Sequence, residues 1–542
     1  MTTEHRYGGD PVVVIGNGPV GQTAALLLAR WGIPVILLDA RPDRDPIGSK
    51  AIVQQRDVLD VWSAVGAGEL IAGEGLTWTL ARTFYKQHEL FTVTFEDKGR
   101  SAFPPFVNIS QSRTEQILDE RITASPLIDV RWGHDVVGVA QDDEQVVITC
   151  RTRDDAVTFH APYVIACGGA RSDPLRAQLG LTFPGRTFED YFLICDIRAD
   201  IPAWEQERRF YFDPEWNPGR QVLIHPCPGS VFRIDWQVPN GFDITEEERN
   251  GGIDRRIRHI IGDRDYEIVW QSIYRFHARH TDRMRVGRVL IAGDCAHLVS
   301  PFGARGLNSG VQDAENAAWK VAFVLHGWGG DELLASYEEE RLAAALENID
   351  VTSATMDFLV PQDDQALQHR LEVLERAITD PEAREQVNSG RLAEPFWYVD
   401  SPLTTPHPTR TFPGRPPRGQ APPVVPGVIV PDVPIASAEV PQATRLRQIA
   451  RDGFLVLTAD DVDTSTVTAA VEQATTAPMR VLPLPTVDTT GALRQALQPE
   501  PGEAWVIRPD AHLAAVVPAA DTARLSEAVH RAAGNAVPTP TA

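Results

Sequence analysis

The stretch PVVVIGNGPVGQTAALLLARWGIPVILLDAR, residues 11–41, constrains the fold more than any other part of the chain. Val12 to Ile15 is an apolar run suited to a buried parallel strand. Gln22 to Trp31 has helical spacing, and Val35 to Leu38 reads as the next strand, ending at Asp39. Between the first strand and the helix lies Gly16-x-Gly18-x-x-Gly21, whose glycines allow a tight turn, close approach of backbone to a diphosphate, and close packing of helix on strand. An anion placed there meets free N–H groups and the positive end of the helix dipole. Asp39 follows Gly21 by 18 positions, close to the offset at which a carboxylate accepts from a ribose hydroxyl. The unit is one complete βαβ dinucleotide-binding motif, which does not by itself separate NAD from FAD.

At 542 residues the chain exceeds one ordinary core, so several domains are expected. Alternating stretches such as QVLIHPCPGSVFRIDWQVP suggest antiparallel strands with one wet face, inserted into the nucleotide domain. VVITCRTRDDAVTFHAPYVIACGGARS reads as a hairpin returning to a buried strand of that domain, and RVLIAG as another such strand. Thirteen prolines between Pro395 and Pro441 exclude helix and central strand and predict an extended, semi-rigid linker. The expected organisation is a discontinuous nucleotide-binding domain (1–77, 110–181 and 274–394), a sheet domain (78–109 and 182–273), a Pro-rich linker (395–441) and a small α/β unit (442–542).

Charge and cysteine usage exclude several function classes. Lys and Arg number 51 against 74 Asp and Glu, and the resulting net charge of −23 repels nucleic acid and anionic lipid. Five widely spaced cysteines, Cys150, Cys167, Cys195, Cys227 and Cys295, contain no C-x-x-C and read as reduced, structural thiols. No apolar run reaches the roughly 18–20 residues of a membrane span, and MTTEHRYGGDP lacks signal-peptide features, so no membrane partner and a cytoplasmic location are expected.

The second informative stretch is GDCAHLVSPFGARGLN, residues 293–308, which crowds Asp294, Cys295 and His297 together. On extended backbone, adjacent side chains point oppositely, so the three do not converge on one metal ion, and no metal site is expected. A Cys295–His297 nucleophile lacks a third group to orient the base. Asp294 stands instead at the carboxyl end of RVLIAG, where open α/β sheets bind ligands. A carboxylate there can accept hydrogen bonds from a sugar-alcohol chain. Gly303, Gly306 and Gly310 let backbone pass close to a flat ring and begin a helix whose N–H groups stabilise negative charge on it. Such a site suits a flavin.

Three motifs carry a family resemblance over nearly the whole chain: GNGPVG at 16–21, CGGARSDPLRAQLGL at 167–181, and GDCAHLVSPFGARGLNSGVQDAENAAWKVA at 293–322. With them, the chain resembles the single-component, FAD-dependent aromatic hydroxylases (class A flavoprotein monooxygenases), in particular the branch of 3-(3-hydroxyphenyl)propionate and phenol hydroxylases with a C-terminal thioredoxin-like domain. The resemblance implies an α/β fold: a Rossmann-like FAD-binding domain with an inserted antiparallel β-sheet substrate domain and a C-terminal thioredoxin-like α/β domain. It assigns the ADP half of FAD to Gly16, Gly18, Pro19, Val20, Gly21, Asp39, Ala40, Arg41 and Lys50. The ribityl chain and ring fall to Gln111, Gly293, Asp294, Pro301, Gly303, Gly306, Leu307 and Asn308. Lys50 stands where the family usually has arginine. Gly168-Gly169 stands where it usually has Asp-Gly, an aspartate implied to help position FAD and the nicotinamide coenzyme. The C-terminal unit contains no cysteine, which excludes thiol–disulfide exchange by it.

What the resemblance implies chemically is hydroxylation of a phenolic or similarly electron-rich aromatic, with NAD(P)H reducing FAD and O2 forming a flavin C4a-hydroperoxide. The partners are thus a small aromatic substrate, NAD(P)H and O2, with homodimerisation a family expectation. A base that deprotonates the phenol increases its electron density, and a histidine with pKa near neutrality suits this. The inserted sheet offers Tyr211, His225, Arg233, Asp235 and Trp236 as pocket residues. Of these, His225 is the first choice as base, and Tyr211, Arg233 and Pro301 complete the expected catalytic set. Arg275, His277 and Arg279 alternate on one strand face, where they either receive NAD(P)H phosphates or remain solvated; Arg305 can meet coenzyme or a substrate carboxylate. Alternatives are a flavin oxidase or reductase of the same fold, and FAD held in a non-catalytic scaffold.

Overall fold

Val12–Ile15 lies inside a six-stranded sheet because all its side chains are apolar and both faces of the sheet are covered. The computed structural model describes residues 7–45, 51–95, 101–416 and 420–535; Lys50 falls outside them. Val35–Leu38 and Val164–Ala166 flank the strand in parallel, followed outward by Ile128–Arg131 and Val289–Ile291, with Arg285–Val286 antiparallel at one edge. The hairpin Val146–Arg151 with Ala156–Ala161 precedes Val164–Ala166, as its sequence suggests.

Two glycines position the first helix, Pro19–Arg30, directly under the strand end. Gly16 has φ +101°, and a Cβ there would lie 2.4 Å from the Cys167 carbonyl oxygen. A Cβ on Gly21 would come within 1.8 Å of the Gly16 carbonyl oxygen, so this contact requires glycine.

A second sheet has eight strands in the order His297–Leu298, Tyr266–His280, Gly185–Ala199, Val231–Val238, Gln221–Cys227, Glu207–Phe212, Leu80–Tyr85 and His88–Thr94. Only the Glu207–Phe212 pairing with Leu80–Tyr85 is parallel. The sequence suggests one wet face, but both faces are covered across the middle of this sheet. On one, Leu193, Ile224, Ile234 and Trp236 pack with Ile253, Ile257 and Ile261 of the helix Gly252–Ile261. On the other, Phe192, Phe210 and Phe276 meet Phe302 and the end of the long helix Glu332–Leu359.

The C-terminal region is α/β, with a four-stranded sheet ordered Met479–Pro483, Phe454–Thr458, Glu503–Ile507 and Leu513–Pro518. It shares a core with the nucleotide-binding part, and the Phe323 and Phe454 rings meet edge to face at 5.9 Å. The proline-rich segment has no helix or regular strand among its described residues, as its prolines require. It differs from a spacer, however: Val425, Val428, Val430 and Val433 are buried in the C-terminal core. Among the described residues no helix is long and apolar enough to cross a membrane.

Candidate functional site

A cavity of about 800 Å³ runs from the carboxyl end of Val12–Ile15 to one face of the eight-stranded sheet. This is a ligand-sized volume. Gly16, Gly18, Pro19, Val20, Asp39, Ala40 and Arg41 line its first end. Helix Pro19–Arg30 starts at Gly18 with no side-chain cap and no acidic residue in its first turn, which leaves its N–H groups to an anion. Asp39 accepts from the backbone N–H groups of Asn17 and Arg41, both at 2.8 Å, and from the Arg41 guanidinium at 3.0 Å. Burial alone would raise its pKa, but these donors outweigh burial and hold it below the usual carboxylate range. Gln111 begins the helix Gln111–Thr123 on the cavity wall; its Oε1 accepts from the Ala51 N–H at 3.1 Å.

In the middle, the tight turn Gly293–Cys295 follows Val289–Ile291 and exposes the Asp294 carboxylate into the cavity. Asp313 braces this turn from behind. Its Oδ2 accepts from the Gly293 N–H at 3.0 Å and contacts His297 Nε2 at 2.7 Å, while Oδ1 accepts from Arg341 Nε at 2.7 Å. Burial opposes ionisation of Asp313, yet Arg341, His297 and the Gly293 N–H prevail and set its pKa at about 2. The helix Arg305–Leu325 then starts from Ala304 at φ +55°, again without side-chain cap or first-turn acid, and puts Gly306 and Leu307 in the wall. Two open helix N-termini with an exposed carboxylate between them match the donor and acceptor needs of FAD: diphosphate, sugar-alcohol chain, and the carbonyl edge of the ring.

The far end combines an aromatic wall with a buried polar cluster. Phe192 and Phe276 stack with centroids 4.4 Å apart, and Phe302 meets Phe192 edge-on at 5.4 Å. Arg233 donates to both oxygens of Asp196 on the neighbouring strand, at 2.7 and 2.9 Å. His225 pairs directly with Arg233 in the ladder, and Leu223 with Asp235. Burial, then Arg208 and Arg233, push the His225 pKa well below its ordinary value, so the imidazole is neutral. Burial and the nearby Asp196 raise Asp235 to about 7, against the opposing pull of Arg233 and Arg208.

A family model described as FAD binding domain matches residues 10–352. A flavin-dependent monooxygenase of Mycobacteroides abscessus is 34% identical over 348 residues, covering 62% of this chain and 71% of that protein. The chain belongs to the FAD-binding, class A flavoprotein monooxygenases. A 3-(3-hydroxy-phenyl)propionate/3-hydroxycinnamic acid hydroxylase of Comamonas testosteroni matches this monooxygenase at 28% identity over 66% of the chain and 60% of its own length. The 6-methylpretetramide 4-monooxygenase of Streptomyces rimosus is 28% identical over 94% of the chain and 90% of its own length. The crystal structure of the flavin-dependent monooxygenase PieE with FAD and substrate shares the fold, with TM-score 0.79 and 21% identity over 97% of this chain and 98% of that one.

Of the FAD-site residues expected from sequence, Gly16, Gly18, Pro19, Val20, Asp39, Ala40, Arg41, Gln111, Asp294, Pro301, Gly303, Gly306 and Leu307 line the monooxygenase's cavity. Gly21, Gly293 and Asn308 stand behind the wall. The Asn308 amide secures the ring loop, accepting from the Gln55 N–H at 2.9 Å and donating to the Val53 carbonyl at 3.0 Å. The three reactive-looking residues diverge: Asp294 faces the cavity, Cys295 is a buried thiol whose pKa burial raises, and His297 contacts Asp313. All five cysteines are unpaired and buried.

The catalytic set needs correction. Strand alternation turns Tyr211 to the other face of the sheet, where it stacks on Phe84 at 4.7 Å, and puts Arg208 in the cavity from the same strand. Trp236 likewise belongs to the opposite core, while Arg233 and Asp235 line the cavity. His225 is in the wall as expected, but the group with pKa near neutrality is Asp235. Arg275 donates to the Phe188 carbonyl, His277 contacts Thr187, and Arg279 donates to the Phe183 carbonyl, so the three are engaged along Gly185–Ala199 and its approach. Arg305 lines the cavity, with its guanidinium donating to Asn348 Oδ1 at 2.7 Å and to the Arg391 carbonyl at 3.3 Å. The roles of Asp313 and Arg208 escape the sequence reading; only the odd-even spacing of Arg208 and Phe210 against Tyr211 hinted at the second.

Proposed function

We propose that this monooxygenase hydroxylates a phenolic or similarly electron-rich aromatic compound with NAD(P)H and O2. The observation that carries the reading is that the dinucleotide cleft and the aromatic-walled polar pocket form one continuous cavity, whose wall includes Pro301 and Phe302. FAD, when bound, supplies the redox chemistry that activates oxygen. The chain's own residues do the rest. The N-terminus of Pro19–Arg30 binds the diphosphate, Asp294 accepts from the sugar-alcohol hydroxyls, and the first N–H groups of Arg305–Leu325 stabilise negative charge at the ring edge. Phe192, Phe276 and Phe302 exclude water and pack an aromatic ring. Arg208, His225, Arg233 and Asp235 orient its polar substituents. A relative named as a 3-(3-hydroxy-phenyl)propionate/3-hydroxycinnamic acid hydroxylase and another named as a 6-methylpretetramide 4-monooxygenase support the substrate class.

The domain reading follows the same lines: FAD-binding parts 1–77, 110–181 and 274–394, a substrate-binding sheet domain of 78–109 and 182–273, and a thioredoxin-like unit at 442–542 joined through 395–441. The mixed four-stranded C-terminal sheet, with helices Thr464–Ala474 and Thr522–Ala532 packed together, supports the last assignment.

The test is purified holoenzyme with NADH or NADPH and a panel of phenols. Phenol-stimulated consumption of coenzyme and oxygen with a hydroxylated product is expected. Equal consumption with and without every phenol overturns the hydroxylase reading and favours an oxidase or reductase.

A further inference from the structure

The geometry points to Asp235 as the group that takes the proton from a hydroxyl on the substrate ring, so that the substrates are compounds whose attacked ring itself carries that hydroxyl; this rests on the hydroxylase reading above. Asp235 stands in the cavity wall on Val231–Val238. Among the described residues its carboxylate forms no hydrogen bond or ion pair, and its Oδ1 is buried without a partner. Asp235 as a whole is half-buried, but a buried carboxylate oxygen such as its Oδ1 is ordinarily hydrogen-bonded, so a group bound in the cavity is the natural donor to it. The nearest cation on its own strand, Arg233, turns its Nε and Nη2 to Asp196. Asp235 is left facing the same space as the aromatic wall.

His225 completes the arrangement. In the ladder it lies diagonal to Asp235, and diagonal partners on one face are roughly 7–8 Å apart, a span that a single hydroxyl oxygen can bridge. A neutral imidazole keeps one N–H, which can donate to that oxygen once its proton has gone to Asp235.

The groups facing Asp235 come from each strand around it: Arg233 from its own, Asp196 from Gly185–Ala199, Arg208 from Glu207–Phe212, His225 from Gln221–Cys227 and Tyr274 from Tyr266–His280. Arg233 neutralises Asp196, so the cluster tolerates a negative charge on the substrate oxygen. With a pKa of about 7, Asp235 is ionised in useful amounts at neutral pH while remaining a stronger base than an ordinary carboxylate. In the step, the O–H bond of the ring hydroxyl breaks, its electron pair stays on oxygen as phenolate, and the proton forms an O–H bond on Asp235. The phenolate raises electron density at the ring carbons ortho and para to the oxygen, the positions open to electrophilic attack. The proton leaves Asp235 to water when product departs.

The experiment compares unaltered holoenzyme with Asp235→Asn and Asp235→Glu across pH, using phenol, 3-(3-hydroxyphenyl)propionate and the more acidic 4-nitrophenol, with hydroxylated product as readout. Flavin content and the melting transition establish that each variant is folded. For the unaltered enzyme kcat is expected to fall as pH drops below about 7. Asp235→Asn is expected to lose about 100-fold on the weakly acidic phenols and to lose that pH dependence, to lose much less on 4-nitrophenol, and Asp235→Glu to restore the pH-dependent fall. An Asp235→Asn enzyme with unchanged rate and pH profile, or one equally impaired on acidic and ordinary phenols, overturns the assignment alone. No product from the unaltered enzyme with any phenol overturns the hydroxylase reading and this assignment with it.

Discussion

The Asp313 carboxylate holds the backbone N–H of Gly293 at 3.0 Å, so the helix Arg305–Leu325 reaches back to fix the turn that presents Asp294. The same carboxylate neutralises buried Arg341. Asp313→Asn keeps the shape but removes that charge. It is expected to destabilise the protein by roughly 3–5 kcal/mol, as breaking a buried pair does, and to accelerate flavin release. Thermal unfolding and the fluorescence of released flavin measure both; a variant that melts and holds flavin like the unaltered protein contradicts the bracing role.

Arg508 of the C-terminal region donates to both oxygens of Glu340, at 2.6 and 3.0 Å, and Lys320 reaches the same carboxylate at 2.7 Å. Through this buried cluster the cysteine-free C-terminal region clamps the two long helices behind the flavin loop. Arg508→Met leaves Lys320 on Glu340 but strips buried Asp510 of the guanidinium that Arg508 gives it, so the expected cost is roughly 3–5 kcal/mol, with weaker flavin retention. Unchanged flavin affinity alongside a lowered melting temperature would confine the clamp to stability.

Asp235 gives stability a pH dependence of definite sign. Its carboxyl titrates at about 7 in the fold against 3.8 ordinarily, so the unfolded chain loses that proton first as pH rises. Its contribution is intact below about 4, declines between about 4 and 7, and is fully lost above, by at most about 4 kcal/mol. Asp235→Asn is therefore expected to melt higher than the unaltered protein at pH 8 and alike at pH 4, read by calorimetry. A lower melting temperature at pH 8 contradicts it.

The pair Gly168-Gly169 separates two effects. Gly169 has φ +78°, so Gly169→Asp is expected to cost roughly 1–2 kcal/mol by backbone strain even though a Cβ there meets nothing. At Gly168 a Cβ would lie 2.8 Å from the Ser172 hydroxyl, which can rotate, and the family's aspartate falls on this position. Gly168→Asp is expected to fold and to lower the KM for NAD(P)H. Steady-state kinetics and melting of both variants check this; an unchanged KM in Gly168→Asp shows that the missing carboxylate is immaterial to the coenzyme.

The FAD half of the site was legible because its geometry is local: Gly16 and Gly21 close one turn, and Asp294 ends one strand. The substrate half assembles from five strands, and there the group with a pKa near neutrality is Asp235 and not His225, because burial depresses a histidine and raises a carboxylate. Residue type alone cannot foresee this. Parity could have been read: Arg233 and Asp235 share a face that Trp236 cannot, and the same rule separates Arg208 from Tyr211. The Arg508–Glu340 clamp joins residues 168 positions apart and has no local sign. Nor could the proline-rich segment's place in the C-terminal core be seen, since prolines exclude regular structure without excluding burial.

The most direct measurement uses isotopically labelled dioxygen with the holoenzyme, NADH or NADPH, and a phenol that perturbs the flavin spectrum. One labelled oxygen atom in a hydroxylated product, formed in step with coenzyme oxidation, is the expected result. Coenzyme oxidised with all the label in peroxide or water, and none in the aromatic compound, contradicts it.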